Sequence, residues 1–244
     1  MGREVCHAVH ADPDVELVAA VDPAHVGERV ERVEIAGDLQ VMLDAGAEVA
    51  VDFTHPSTVM DDARWCLSNG VHAVIGTTGI TPANLDELRS SADASSANCL
   101  VAPNFAVGAV LAMRFAEDAA RFLPAAEVIE LHHEGKADAP SGTALTTARR
   151  IAAARAEAST APAGDDAHPG ARGADVDGVR VHSVRLPGLV AHQEVILGGQ
   201  GQTLSIRHDS TDRTSFMPGV LLAVKAVASR RGLTVGLEAL LEER

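Results

Sequence analysis

Hydrophobic positions in the first hundred residues come in short runs, separated by stretches with helical spacing. Gly2 to Ala11 reads as a helix, and Val15 to Val21 (VELVAAV) as a strand ending at Asp22. Val49 to Phe53 (VAVDF) is a second strand, and a helix from Ser57 to Leu67 follows, stopped by Asn69-Gly70. Val71 to Ile75 (VHAVI) is a strand that runs into Gly76-Thr77-Thr78-Gly79. Thr81 then serves as N-cap and Pro82 as the first position of another helix. Cys99 to Ala102 is a short strand. Strands alternating with helices at these lengths predict a parallel sheet with right-handed crossovers.

From Phe105 the character changes. Phe105 to Leu123 is a long apolar helix that must stop before Pro124, because proline lacks the N–H and clashes with the preceding turn. Glu127 to His132 (EVIELH) reads as a strand, and Ser141 begins a helix through Ala-rich sequence toward Ala156. A loop rich in Gly, Asp, Ala and Pro covers Ser159 to Gly178. Val179 to Arg185, Val190 to Leu197 and Thr203 to His208 alternate with period two between Gly-rich turns, which predicts antiparallel strands. The last helix, Met217 to Ser229, has an apolar face, and an apolar tail (LTVGLEALL) follows it. The layout is α/β: a parallel-sheet dinucleotide-binding domain over residues 1–105 and 214–244, and an α+β domain over residues 106–213 for substrate binding and oligomerisation. The second domain is expected to hold a mixed or antiparallel sheet.

Aromatic residues are only 2% of the 244, so the core has to be built from Ala, Val, Leu and Ile. That suits a parallel sheet, whose strands are buried on both faces. A formal net charge of -14 argues against a nucleic-acid partner, which needs a basic face. Any anionic ligand must therefore be held locally, by a few cationic side chains or a helix N-terminus. Cys6, Cys66 and Cys99 are odd in number and widely spaced, which reads as reduced thiols of a cytoplasmic protein. No apolar run approaches membrane-spanning length, so no membrane association is expected.

The densest chemistry lies between Glu130 and Ala144, in the run ELHHEGKADAPSGTA. His132, His133 and Lys136 follow a strand end, the place where ligands bind in parallel α/β sheets. Imidazole is the side chain most easily tuned for proton transfer near neutrality, and lysine adds a positive charge and a proton donor. Taken alone, two histidines and a lysine would be exposed loop residues. Adjacent histidines rarely share one metal, and Glu130 and Glu134 lack a ligand spacing, so no metal is expected. Ser141-Gly142-Thr143 changes that weighing. Ser141 is a natural N-cap, and the backbone N–H groups of Gly142, Thr143 and Ala144 would point out of the helix start, ready for a carboxylate or phosphate. A lone SGT would be an ordinary cap. Joined to HHxxK in one turn region, it describes a pocket for a dicarboxylate with acid–base groups beside it.

The run HHxxKxDAPSGTA resembles the signature of the 4-hydroxy-tetrahydrodipicolinate (dihydrodipicolinate) reductase family. Asp52-Phe-Thr-His-Pro56, Gly76-Thr-Thr-Gly79, Ala102-Pro-Asn-Phe105 with Val107-Gly108, and Arg207-His-Asp-Ser210 through Phe216 match in order and spacing, so the resemblance covers nearly the whole chain. It implies a Rossmann-type first domain and a cytoplasmic homotetramer. It also implies reduction of 4-hydroxy-tetrahydrodipicolinate by NADH or NADPH with loss of water, in lysine and diaminopimelate synthesis. His132 resembles the family's acid–base histidine and Lys136 its second proton donor, with His133, Gly142 and Thr143 as substrate-binding positions. Gly76, Thr77 and Thr78 resemble the cofactor-binding turn. Ala102, Pro103, Asn104 and Phe105 resemble the segment that lines the nicotinamide and hinges the domains, and Phe53 and Thr54 are further cofactor candidates.

A dinucleotide domain should open with a strand and a Gly-rich turn that cradles the pyrophosphate. The chain shows neither; Met1 to Val5 resembles the last step of that turn and the start of its helix. The strand and first glycines are expected upstream of Met1. Asp22, at the end of the next strand, keeps the place of the ribose-binding acid. Residues 23–48 do not match the family closely. Two alternatives stand beside the reductase reading. One is a catalytically silent truncated homologue that keeps the diacid-binding and assembly domain. The other is a sister amino-acid dehydrogenase, against which the HHxxK run argues.

Overall fold

Met1 leads directly into α1 (Gly2–Ala11), which buries Val5 and Val9 on one face. The structure, a computed structural model, describes residues 1–155 and 167–241. After α1 come β1 (Ala20–Val21), β2 (Arg29–Val30), β3 (Val33–Ala36) and α2 (Gln40–Asp44). The alternating part follows: β4 (Val49–Asp52), α3 (Val59–Ser68), β5 (His72–Ile75), α4 (Pro82–Asp93) and β6 (Cys99–Val101). Next are α5 (Val107–Ala120), β7 (Ala125–His132), α6 (Gly142–Ala154), β8 (Ala174–Val176), β9 (Val179–Arg185), β10 (Ala191–Gly199) and β11 (Gln202–Ser210). The described chain closes with α7 (Met217–Val227), β12 (Leu233–Val235) and α8 (Glu238–Leu241). It divides into two units: Met1–Val107 with Arg213–Arg244, and Gly108–Asp212.

The first unit is α/β and Rossmann-like. Its four-stranded sheet runs β12-β6-β5-β4, every pair parallel. Val74, Ile75, Cys99 and Leu100 are fully buried, as strands covered on both faces must be. The register sets Asp52, Ile75, Val101 and Val235 in one row, so the segments after β5 and β6 leave the sheet side by side at its carboxyl edge. Thr81 accepts from the Asn84 N–H in a capping box, with Pro82 at the first position of α4. A smaller sheet, β1-β3-β2, has one parallel and one antiparallel pair.

The second unit is a mixed sheet in the order β11-β10-β7-β9-β8. One face is covered by α5 and α6, whose Ala116, Ala120, Ala144, Ala148 and Ile151 pack on Val128, Val181, Val195 and Leu197.

Several expectations need correction. The strand expected over Val15 to Val21 is confined to Ala20–Val21, because only these two residues reach a ladder partner, in β3. Val179 to Arg185 is a strand but runs parallel to β7, with antiparallel pairing only to β8. Period-two alternation identifies a strand's two faces, and direction is set by the long connection from β7. The loop expected over Ser159 to Gly178 holds β8, and its part before residue 167 lies outside the described residues. Residues 23–48, left without elements by the sequence reading, hold β2, β3 and α2. The C-terminal apolar tail contributes β12 to the first unit's parallel sheet.

Candidate functional site

β7 ends at His132 because the chain must turn there to reach the α6 N-cap. Along β7, Val128, Glu130 and His132 face the same side, since strand side chains alternate. Val128 enters the apolar core; Glu130 is a charge in the same row and is completely buried. Such a charge persists only if fully partnered. The Arg185 guanidinium, at the end of β9, donates from Nη1 to Oε2 of Glu130 (2.9 Å) and from Nη2 to Oε1 (2.8 Å). Oε1 also accepts from the Ser141 N–H at 3.3 Å. Oε2 lies 2.5 Å from Nδ1 of His132. Breaking such a pair by removing one partner costs about 3–5 kcal/mol, because the other charge is left buried.

One carboxylate thus ties the strand-end histidine to the start of α6. There Ser141, itself buried, caps the helix by accepting from the Ala144 N–H at 3.2 Å. Gly142 is exposed, with no atom within 4 Å of where a Cβ would stand, so the approach to the helix start is open. Lys136 donates from Nζ to Asp138 Oδ1 at 2.7 Å, and the Asp138 carbonyl accepts from Arg185 Nη2 at 2.6 Å. His132, Lys136, Gly142 and Thr143 therefore belong to one hydrogen-bonded turn region. His133 belongs to the same turn, its carbonyl accepting from the Lys136 N–H at 3.2 Å, and is exposed.

Electrostatics follow from burial. Burial alone would raise the Glu130 carboxyl, but hydrogen bonds from Arg185, Ser183 and His132 outweigh it and hold the group below the usual carboxylate range. Burial pulls His132 below its ordinary value; the Glu130 carboxylate opposes this, and the cations Lys136 and Arg185 assist it. A neutral imidazole whose Nδ1–H points at a carboxylate offers Nε2 as an acceptor. Lys136 supplies a proton donor and a fixed cation nearby. The arrangement can bind an anion at the helix start and exchange protons beside it.

A second group lies in the first unit. Gly76 and Thr77 follow β5, and Ala102 follows β6, its N–H bonded to the Ile75 carbonyl at 3.0 Å. Thr77 is buried and donates to Asp52 Oδ1 at 2.6 Å, which anchors the turn. Gly79, at φ +87°, turns the chain where other residues would be strained. Phe105 is buried against Phe53, with ring centroids 5.7 Å apart. Thr78 and Pro103 are exposed, and Asn104 bonds the Ala106 N–H at 2.9 Å. Asp22 directly follows β1 of the smaller sheet and accepts from the Ala24 N–H. The start of α1 has no capping side chain, and Gly2 has no atom within 4 Å of a Cβ position. A helix followed by a strand with an acid just beyond it is the order in which a dinucleotide's pyrophosphate and ribose are met.

Glu130, Arg185, Asp138 and Asp52 escaped the sequence reading as functional residues. No local signal marked Glu130, because which face of its strand meets the core is set by the sheet.

Among the described residues, no helix is long and apolar enough to cross a membrane, and no group of three or more His, Cys, Asp or Glu could hold a metal ion. The chain is 55% identical over 246 residues to the 4-hydroxy-tetrahydrodipicolinate reductase of Nocardia farcinica, covering 99% of this chain and 94% of that protein. It is 53% identical to the enzyme of the same name from Streptomyces griseus, with the same coverage. Among solved structures, the dipicolinate-bound dihydrodipicolinate reductase from Paenisporosarcina sp. TG-14 superposes with a TM-score of 0.87 at 41% identity, over 98% of this chain and 94% of that one. An amine dehydrogenase from Mycobacterium smegmatis, 14% identical with a TM-score of 0.63 over 96% of this chain and 91% of that one, shares the fold. The family models for the N-terminus and C-terminus of dihydrodipicolinate reductase match residues 1–105 and 108–241, and the chain belongs to the dihydrodipicolinate reductase family.

Proposed function

We propose that the chain reduces 4-hydroxy-tetrahydrodipicolinate to tetrahydrodipicolinate with loss of water, using NADH or NADPH, as a cytoplasmic step of lysine and diaminopimelate synthesis. The observation that carries this is His132 held on buried Glu130 beside Lys136 and the Ser141-capped helix start. The Paenisporosarcina relative was solved with dipicolinate, and a two-carboxylate ligand is what an open helix start with a neighbouring lysine would hold. The silent-homologue alternative draws no support from relatives 53–55% identical over nearly the whole chain that carry the reductase name.

Loss of water needs a proton delivered to the departing hydroxyl and one removed from the ring; reduction needs a hydride and a proton. The bound nicotinamide supplies the hydride. Gly76, Thr77, Thr78 and the Ala102 to Phe105 segment would hold its nicotinamide end, and Asp22 with the start of α1 the ribose and pyrophosphate. One substrate carboxylate would sit on Gly142 and Thr143, with His133 at the rim. Lys136 donates a proton and balances developing charge, and His132 exchanges a proton through Nε2. Fixing these groups around the ring converts chance encounters into one oriented reaction.

The domain roles follow: residues 1–105 and 214–244 bind the dinucleotide, and residues 106–213 bind substrate and assemble. The sheet face opposite α5 and α6 presents Ile129, Leu131, Val184 and Ile196, only half-buried in the single chain, which supports a homotetramer joined through this sheet.

The test is turnover of freshly generated substrate with NADH by the purified chain, beside His132→Ala and Lys136→Ala. Each variant should lose more than about tenfold in kcat while NADH binding, read by fluorescence, stays nearly intact. Wild-type turnover in both at equal folded content would refute the assignment.

A further inference from the structure

The strand-end histidine is held by more than a turn. Its Nδ1 faces Oε2 of Glu130 at 2.5 Å, and that carboxylate cannot swing away. Arg185 grips both its oxygens, at 2.8 and 2.9 Å, and the Ser141 N–H adds a bond to Oε1 at 3.3 Å. Glu130 is wholly enclosed, whereas the His132 side chain is 15% exposed. An ionised carboxylate is an acceptor only, so it takes the proton on Nδ1 and leaves Nε2 as the atom that meets solvent or substrate. Arg185 in turn rests on the Asp138 carbonyl, two residues beyond Lys136.

We propose that Glu130, locked by Arg185, is the positioning residue of the reductase site, fixing His132 in its Nδ1–H form and presenting Nε2 to the substrate. Glu130 touches no reacting atom; it acts through His132. It also sets the relation between the acid–base group and the helix start, since the same carboxylate binds both. The proposal rests on the reductase reading for its catalytic consequence, but the form of the imidazole is a property of the protein itself.

The groups facing His132 are Glu130 on its own strand, Lys136 in the turn and Arg185 on β9. In Glu130→Gln the carboxylate that favours imidazolium is gone and both cations remain. The His132 pKa must then fall, and any limb of the pH–rate profile that it governs moves to lower pH.

Two measurements decide the matter. Long-range proton–nitrogen NMR of the wild-type chain, with His132 assigned by loss of its signals in His132→Gln, should show neutral His132 protonated at Nδ1. A proton at Nε2 would overturn the proposal, whether or not the chain turns over substrate. In Glu130→Gln, kcat should fall about 10- to 100-fold, part of what acid–base catalysis supplies. The His132 limb should shift to lower pH, KM for both substrates should stay within about twofold, and Glu130→Asp should recover part of the loss. A rise in KM with an unmoved pH profile would make Glu130 merely structural and would likewise overturn it. If Glu130→Gln does not fold, the wild-type NMR result stands as the test. An absent wild-type turnover would instead sink the reductase reading and leave the NMR result to stand on its own.

Discussion

Phe53 fills the space in which a side chain at Gly76 would have to stand. A Cβ on Gly76 would collide with Cε1 of the Phe53 ring, and that ring packs at 5.7 Å from Phe105. Glycine at this position is therefore required by packing, at a φ that other residues could adopt. Gly76→Ala would push Phe53 into its neighbour and displace the turn that Thr77 anchors on Asp52. Overpacking of this kind costs about 1–3 kcal/mol. The expected outcome is a lower melting temperature with NADH affinity reduced more than substrate affinity. An alanine variant with unchanged NADH binding would show that this turn does not carry the cofactor.

Ser141 caps α6 from a buried position, accepting from the Ala144 N–H while its own N–H donates to Glu130. Ser141→Ala keeps the backbone bond and removes only the hydroxyl. The expected loss is about 1 kcal/mol of stability, together with a higher KM for the dicarboxylate, because the helix start loses its fixed geometry. Denaturant unfolding and steady-state kinetics check the two parts separately. An unchanged KM would mean that this helix start faces no substrate.

The cluster of His132, Lys136 and Ser141 to Thr143 is legible in the sequence because strand end, turn and N-cap follow one another along the chain. The alternation of β4 to α4 is legible for the same local reason. Glu130 is not, because a glutamate in a strand reads as solvent-facing, and its partner Arg185 is 55 residues away. The direction of β9 hides in the same way: alternation marks its faces, while the pairing with β7 is a long-range event. Val15 to Val18 read as strand by composition, yet a strand exists only where a ladder partner is reached.

Stability should depend on pH through His132. Burial holds its pKa below the ordinary 6.5, so the unfolded chain takes up a proton at higher pH than the folded one. The associated stability is fully present above pH 6.5 and is lost as pH falls through the folded value. Glu130, held below 4.5, acts in the same direction in a more acidic window. The melting temperature of the wild type should therefore fall on acidification below pH 6.5, and His132→Gln should fall less steeply over that first interval. Parallel curves for the two proteins would show that His132 does not titrate differently on folding.

Cofactor preference should favour NADH, or at least not disfavour it, because of what surrounds Asp22. The residue directly follows β1, the place from which an acid hydrogen-bonds a free ribose hydroxyl and repels a 2′-phosphate. Its Oδ1 accepts from the Ala24 N–H, its Oδ2 lies 4.0 Å from His25 Nε2, whose partner at closer range is Glu28, and Pro23 beside it offers no cation. Of the two arginines nearest in sequence that could receive a 2′-phosphate, Arg29 and Arg32, the first is engaged, as is Arg3. Arg29 donates to the Arg32 carbonyl at 3.0 Å, and Arg3 pairs with Glu28. Recruiting either to a phosphate would require breaking those contacts. Asp22→Ala removes both the ribose acceptor and the repulsion, so KM for NADH should rise several-fold, by roughly the worth of one hydrogen bond to a charged group, while KM for NADPH should hold or fall. Steady-state kinetics with both cofactors on wild type and variant give the answer. A strong wild-type preference for NADPH, or a variant that loses both cofactors equally, would place the 2′-position away from Asp22.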